Sequence, residues 1–88
     1  PAPGYPACPG HSIKKEIFKA LNTDEIGMSL TDNFAMKPAS SVSGFYFAHP
    51  KAKYFSVDKI DDDQLKDLAI RSSESIELLR AQLAPNIK

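Results

Sequence analysis

Four prolines within the first nine residues place the strongest constraint on this chain. They stand at positions 1, 3, 6 and 9, with Gly4 among them and Gly10 directly after the last. Proline has no backbone N–H group and holds φ at about −65°, so the segment excludes a helix and disfavours a central strand. The sequence therefore predicts a stiff, extended loop over residues 1–11. Such a loop has lost much conformational freedom before a ligand binds, and glycine lets backbone amides approach a small molecule closely.

A helix over residues 12–22 is predicted after this loop. Ser12 can cap its N-terminus, and the helical pattern ends near Asn22. The apolar residues share one face of this helix: Ile13, Ile17, Phe18 and Leu21. The charged residues lie largely on the other face: Lys14, Lys15, Glu16 and Lys19. Residues 23–27 then indicate a turn, and the mostly even spacing of apolar residues over 28–36 predicts a short strand.

Two aromatic-rich segments predict an antiparallel hairpin over residues 42–57. Residues 42–48 carry aromatic side chains on both alternating faces, which is typical of a strand covered on both sides. The following four residues, His-Pro-Lys-Ala, form a turn with Pro50 in its favoured second position. Residues 53–57 then return as the second strand.

Two further helices are predicted over residues 61–84. Asp61 followed three residues later by Gln64 matches a capping box, which indicates a helix from about 62 to 72. A second helix follows a serine cap and ends before Pro85. The order of elements predicts an α+β fold, in which antiparallel strands or a hairpin pack with about three helices.

Composition favours a single globular domain and excludes several kinds of partner. At 88 residues, with 42% hydrophobic and 25% charged residues, one folded unit over residues 1–88 is expected. Eleven basic and eleven acidic residues give a formal net charge of zero, so no overall field attracts nucleic acid or an anionic membrane. No apolar run approaches the roughly 18 residues of a membrane span. The single cysteine cannot close an internal disulfide, which favours a reducing compartment, with the cytoplasm as the default.

The residues that could carry metal or nucleophilic chemistry are sparse. Cys8 and His11 lie three apart and His49 is the second imidazole, so zinc would need carboxylates that show no ligand spacing. A Cys–His nucleophilic pair would need a third group to orient the base. A packed thiol and a loop histidine are the favoured interpretation. The acidic run 61–63 lacks the interleaved glycine and final glutamate of a calcium loop, so it indicates helix capping. We predict no metal site and no catalytic side chain.

The aromatic residues beside the proline loop and in the predicted hairpin suggest a ligand wall. Tyr5 follows Gly4, and Tyr54 and Phe55 stand in the second predicted strand. Such rings can pack on a purine or face a sulfonium ion, which the ring quadrupole attracts. The commoner role for these aromatic residues is in a core or at its rim, and the residue pattern alone does not name a ligand.

Several segments together resemble a known family. They are Pro-Ala-Pro-Gly-Tyr-Pro-Ala-Cys-Pro at 1–9, Phe-Ala-Met at 34–36, Ser-Gly-Phe-Tyr-Phe-Ala-His-Pro at 43–50, Lys-Tyr at 53–54 and Leu-Ala-Pro-Asn at 83–86. In this order they resemble the C-terminal part of the activation domain of cobalamin-dependent methionine synthase, and the resemblance runs through nearly the whole chain. The predicted fold would then be a fragment of a larger activation-domain fold.

The resemblance implies a function and a set of partners. The activation domain of that enzyme binds S-adenosylmethionine, which methylates cobalamin that has oxidised to inactive cob(II)alamin. The cobalamin-binding domain of the same enzyme holds the corrin, and a flavodoxin or a flavoprotein reductase supplies the electron. Carried over residue by residue, the ligand-binding positions are Ala2, Gly4, Tyr5, Tyr54 and Phe55. The rival hypothesis is a noncatalytic docking module that contacts the electron donor or the cobalamin domain.

The sequence also departs from the family pattern. In the family an arginine precedes the proline loop and pairs with the ligand's carboxylate, and this chain begins after that position, so we expect it to hold half of a site. Gly10 replaces a usual acid, Lys37 replaces a tryptophan, and the turn at 22–27 is one residue short. We also expect a dimer or a swapped assembly through an unpaired sheet edge.

Overall fold

The proline-rich segment folds into two consecutive turns. The computed structural model describes residues 1–87. The Gly4 N–H donates to the Cys8 carbonyl at 2.8 Å, and the Cys8 N–H donates to the Tyr5 carbonyl at 2.8 Å. Gly4 has φ of 93°, a value that side-chain-bearing residues rarely adopt, and this reverses the chain. The segment is therefore a rigid loop, as predicted, but it is folded back on itself and not extended.

A short helix, α1 (Lys14–Ala20), follows the loop and buries Ile17 and Phe18. Ser12 does not cap it. The Ser12 backbone N–H donates to the Gln82 side chain at 3.1 Å and its hydroxyl donates to Glu74 at 3.2 Å, so this serine joins α1 to the C-terminal helices. After α1 comes a 3₁₀ helix (Thr23–Ile26) in place of the predicted simple turn.

The antiparallel strands lie earlier in the chain than the predicted hairpin. β1 (Ser29–Leu30) pairs with β2 (Met36–Lys37) in the register Ser29 to Lys37 and Leu30 to Met36. The predicted strand over 28–36 is thus split into two short strands by a turn, in which the Phe34 N–H donates to the Thr31 carbonyl at 3.0 Å. This turn requires φ of 63° at Phe34.

The hairpin predicted over residues 42–57 is absent, and this prediction was wrong. The turn after His49 forms, since the Ala52 N–H donates to the His49 carbonyl at 3.0 Å, but the segments on either side do not pair. Backbone groups of this region bind the proline loop instead. Phe45 N–H donates to the Pro1 carbonyl at 2.9 Å and Val57 N–H donates to the Pro6 carbonyl at 2.7 Å. These bonds satisfy donors that a hairpin ladder would have used.

Two helices close the chain, α2 (Asp62–Ser72) and α3 (Ile76–Gln82). The capping box predicted at the start of α2 is present, with the Asp61 N–H donating to the Gln64 side chain at 2.8 Å. The Ser75 hydroxyl caps α3 by accepting from the Leu78 N–H at 3.1 Å. Since α3 begins four residues after α2 ends, the two helices pack against each other and bury the main core, formed by Leu65, Leu79 and Leu83.

Asn86 connects the end of the chain to residues 57–60. Its backbone carbonyl accepts from the Ile60 N–H at 2.6 Å, and its side chain donates to the Val57 carbonyl at 2.8 Å. The α+β fold thus has a helical C-terminal part and an irregular N-terminal part connected near Val57. None of the helices within residues 1–87 is long and apolar enough to cross a lipid bilayer.

Candidate functional site

Tyr5 and Tyr54 border one cleft with a volume of about 400 Å³. The proline loop, β2 and the 42–57 segment form its walls. The lining residues are Ala2, Pro3, Tyr5, Lys14, Met36, Ser41, Val42, Ser43 and Tyr54. Both tyrosines are well exposed, at 62% and 64%, so their rings are accessible to a ligand. The volume lies within the range of about 300–1,000 Å³ that small-molecule pockets occupy.

Close backbone contact between the proline loop and the 42–57 segment holds this cleft together. A Cβ atom on Gly44 would lie 3.0 Å from the Pro1 carbonyl oxygen and 3.3 Å from the Ala2 Cα. The Phe45 N–H bond to Pro1 depends on that approach. Any larger residue at position 44 would therefore push the two walls apart. A glycine inside a strand-like aromatic run is a sequence signal for such close approach.

The five residues named from the sequence do not all reach this cleft. Ala2, Tyr5 and Tyr54 line it together. Gly4 has its N–H bonded to Cys8 and lines a neighbouring cavity with Tyr5, so its observed role is to reverse the chain. Phe55 is 58% exposed and is not among the cleft-lining residues.

His11 packs against Gly4 and fixes the loop. A Cβ atom on Gly4 would clash with the His11 imidazole, so only glycine fits there. The His11 Nδ1 lies 3.0 Å from the Lys14 ammonium. Burial and then the nearby positive charge of Lys14 hold the pKa of His11 below its ordinary value. The imidazole is therefore neutral at neutral pH, and its Nδ1 accepts a hydrogen bond from the Lys14 ammonium.

Lys14 is one of the cleft residues that the sequence pattern does not predict. The sequence pattern predicts it on the charged face of α1, yet only 6% of it is exposed. Its ammonium donates to the Phe34 carbonyl at 2.9 Å. The signal was present in the sequence, because positions 14, 17, 18 and 21 follow the i, i+3, i+4, i+7 spacing of one helical face. Met36, Ser41, Val42 and Ser43 also line the cleft without having been predicted to do so.

Cys8 belongs to a different groove. This groove, of about 670 Å³, lies between α1 and the C-terminal helices, and its lining includes Cys8, Ser12, Arg71, Glu74 and Gln82. Burial raises the pKa of the Cys8 thiol, which disfavours the nucleophilic thiolate. Within residues 1–87, no three His, Cys, Asp or Glu side chains gather closely enough to hold a metal ion.

Comparison with known proteins establishes the family. The model of the family described as vitamin B12-dependent methionine synthase, activation domain, matches residues 1–73. The chain belongs to this family. A crystal structure described as the MetH reactivation domain bound to AdoHcy is similar to 99% of the chain, with 49% sequence identity and a TM-score of 0.93. The chain spans 27% of the length of that protein. The resemblance drawn from the proline loop and the 43–50 segment is thereby confirmed.

The activation-domain cleft is suited to binding a ligand and not to acid–base chemistry. Among its lining residues, Lys14 is the one charged side chain, and the others are apolar, aromatic or hydroxyl-bearing. The apolar and aromatic residues can pack on a flat ring, and the tyrosine rings can face a cation. The serine, tyrosine and lysine side chains can donate hydrogen bonds. The activation domain is part of methionine synthase, a methyltransferase.

Proposed function

We propose that this chain forms one wall of an S-adenosylmethionine site in methionine synthase, used for the reductive methylation that reactivates cob(II)alamin. S-adenosylmethionine supplies the methyl group for a cobalamin held by another domain of the intact enzyme. The residues of this chain bind and orient the ligand, which requires no general acid or base from them.

One observation carries this proposal. Tyr5 and Tyr54, which are 49 positions apart in sequence, border the same open cleft together with Ala2. The similar reactivation domain is described as bound to AdoHcy, and S-adenosylhomocysteine is what S-adenosylmethionine becomes after losing its methyl group. The two exposed rings offer a purine a stacking surface and a sulfonium a favourable quadrupole.

Calorimetric titration of the intact protein with S-adenosylmethionine tests the proposal. We expect Tyr54→Ala to lower the affinity about 5- to 30-fold, the equivalent of roughly 1–2 kcal/mol of stacking and cation–π attraction. Tyr46→Ala is the matched control, because Tyr46 is fully exposed and lies outside this cleft. Absence of binding heat with the wild-type protein, or equal affinity of both variants and wild type, would refute the proposed site.

A second candidate function, protein docking, is favoured by the exposed aromatic surface of residues 42–57. Its exposed apolar residues are Val42, Tyr46, Phe47, Tyr54 and Phe55. An exposed aromatic patch of this kind is suited to contact with another protein surface.

The partners proposed for this surface are the cobalamin-binding domain of the same enzyme and its electron donor, a flavodoxin or a flavoprotein reductase. The same two variants separate the functions. Tyr46→Ala should weaken association with these partners while ligand affinity is preserved, and Tyr54→Ala should weaken ligand binding. If Tyr46→Ala leaves association with each partner unchanged, the docking surface lies elsewhere.

A further inference from the structure

A single buried lysine joins two of the segments that form the walls of the cleft. Lys14 is the first residue of α1, and only 6% of it is exposed. Its ammonium donates to the Phe34 carbonyl at 2.9 Å, in the turn between β1 and β2. It also donates to Nδ1 of His11 at 3.0 Å, at the end of the proline loop. Burying an ammonium is costly, and these two hydrogen bonds to the cleft walls offset part of that cost.

On the loop side, the contact reaches the border of the cleft through His11. An ammonium has no acceptor, so Nδ1 of His11 accepts this hydrogen bond and carries no proton. The same imidazole packs against Gly4, where an added Cβ atom would clash with it. Gly4 directly precedes Tyr5, whose ring borders the cleft. The position of Tyr5 therefore depends on the contact between His11 and Lys14.

On the strand side, the contact holds a turn whose backbone is unfavourable for its residue type. Phe34 has φ of 63°, in the left-handed region that bulky side chains rarely adopt, and such a conformation persists where surrounding contacts fix it. The Lys14 ammonium binds the Phe34 carbonyl, and the Lys15 ammonium lies 5.7 Å from the centre of the Phe34 ring. Met36, two residues later, lines the cleft and accepts from the Ser43 hydroxyl at 3.4 Å. Fixing this turn therefore fixes the place of Met36 in the cleft wall.

We propose that Lys14 is a positioning residue for ligand binding, whose ammonium holds the proline loop and the β1–β2 turn at the spacing that the ligand requires. This inference rests on the proposed function and deepens it. The ammonium acts through the two protein groups that accept from it, and not through a contact with the ligand. A site whose walls are held in place before binding loses less freedom when the ligand enters. The contribution of Lys14 to affinity is therefore independent of the chemical group at the amino-acid end of the ligand.

Two ligands and three variants of the intact protein test this role. S-adenosylhomocysteine carries the amino-acid moiety, and 5′-methylthioadenosine lacks it. Calorimetry measures both affinities for the wild type, for Lys14→Met, which keeps a long side chain without its donors, and for Lys14→Arg, which restores N–H donors. Lys19→Met is the control, because Lys19 is an exposed residue of the same helix. Protection of the Leu79 amide from hydrogen exchange shows that the core of each variant is folded.

We expect Lys14→Met to lower the affinity for both ligands by a similar factor of about 5 to 30, because the walls must then be ordered as the ligand binds. Lys14→Arg should recover part of this loss, and Lys19→Met should leave both affinities within about twofold of wild type. Without ligand, the Cys8 and Phe34 amides should exchange faster in Lys14→Met than in the wild type. Saturation with S-adenosylhomocysteine should restore their protection.

Three results would overturn the inference while leaving the proposed function standing. A loss confined to S-adenosylhomocysteine would mean that Lys14 contacts the amino-acid moiety directly. Unchanged protection of the Cys8 and Phe34 amides in Lys14→Met would mean that the ammonium does not hold these segments. Unchanged affinity of Lys14→Met for both ligands would mean that binding does not depend on the spacing of the walls. A wild-type protein that binds neither ligand overturns the inference and the proposed function together.

Discussion

The two parts of this chain are stabilised in different ways. The C-terminal helices α2 and α3 bury Leu65, Leu79 and Leu83 to 4% exposure or less and begin with side-chain caps. The N-terminal part, over residues 1–57, has a short helix and two short strands, and its loops are held by individual hydrogen bonds and glycine contacts. The candidate cleft lies in this second part, and the rings of Tyr5 and Tyr54 at its border are exposed.

This contrast separates the residues that stabilise the core from the residues that line the candidate cleft. Apolar burial is non-directional and tolerates small shifts, whereas the cleft depends on a few backbone contacts whose geometry cannot change. Mutations in the helical part should therefore affect stability most, and those in the proline loop should affect local order around the cleft. Three experiments test this division, and each reads opening free energies from amide hydrogen exchange in the intact protein.

The largest effect is expected from Leu79→Ala. Leu79 is 3% exposed and packs in the core with Leu65 and Leu83, so truncation should lower the opening free energy of α2 and α3 by about 2–5 kcal/mol. Leu78→Ala is the matched control, since the neighbouring leucine is 42% exposed and should cost less than about 1 kcal/mol. Similar losses from both substitutions would show that the three-leucine core does not stabilise this part.

A smaller but local effect is expected from Gly4→Ala. The new Cβ would clash with the His11 imidazole, and φ of 93° strains any residue with a side chain. The opening free energy of the loop should therefore fall by about 2–3 kcal/mol. Gly27→Ala controls for backbone strain alone, because its φ of 77° is similar and no atom lies within 4 Å of the added Cβ, and about 1 kcal/mol is expected. Protection of the Cys8 amide from exchange reports the effect of Gly4→Ala, and protection of the Met28 amide reports the effect of Gly27→Ala. Equal effects would argue against the His11 contact.

The smallest effect is expected from pH. The pKa of His11 is lowered in the folded protein, so the unfolded state binds more protons between that value and about 6.5. The stabilisation is fully present above the unfolded pKa and is lost as the pH falls through the folded pKa. Loop opening measured at pH 7.5 and 5.5, corrected for intrinsic exchange, should become easier at the lower pH. His11→Gln should flatten this dependence, and a slope unchanged by that substitution would exclude His11 as its source.

The helical part could be predicted from the sequence because its signals are local. The Asp61 to Gln64 capping box and the apolar periodicity of residues 62–72 lie within a few positions of each other, and the structure places α2 over that range. The proline loop was predictable as rigid, since proline restricts φ whatever its surroundings. The loop reverses at Gly4, where the chain packs against the His11 imidazole. The proline and glycine pattern does not predict this contact.

The cleft was predictable only in part, because non-local contacts form it. Tyr5 and Tyr54 were brought together as the family resemblance implied, but the hairpin expected to present Tyr54 did not form. Backbone N–H groups of this segment donate to the Pro1 and Pro6 carbonyls. No residue pattern in the sequence predicts that a proline loop will accept these hydrogen bonds. The burial of Lys14 was not predictable from its residue type, because lysine is rarely buried, although position 14 lies on the apolar face of α1.

The central claim is that Tyr5 and Tyr54 flank one ligand. A crystal structure of the intact protein with S-adenosylhomocysteine tests this most directly, through the electron density of the bound molecule. The account predicts density between the two tyrosine rings. Density in the groove beside Cys8, or against the exposed face around Tyr46 with the cleft empty, would contradict it.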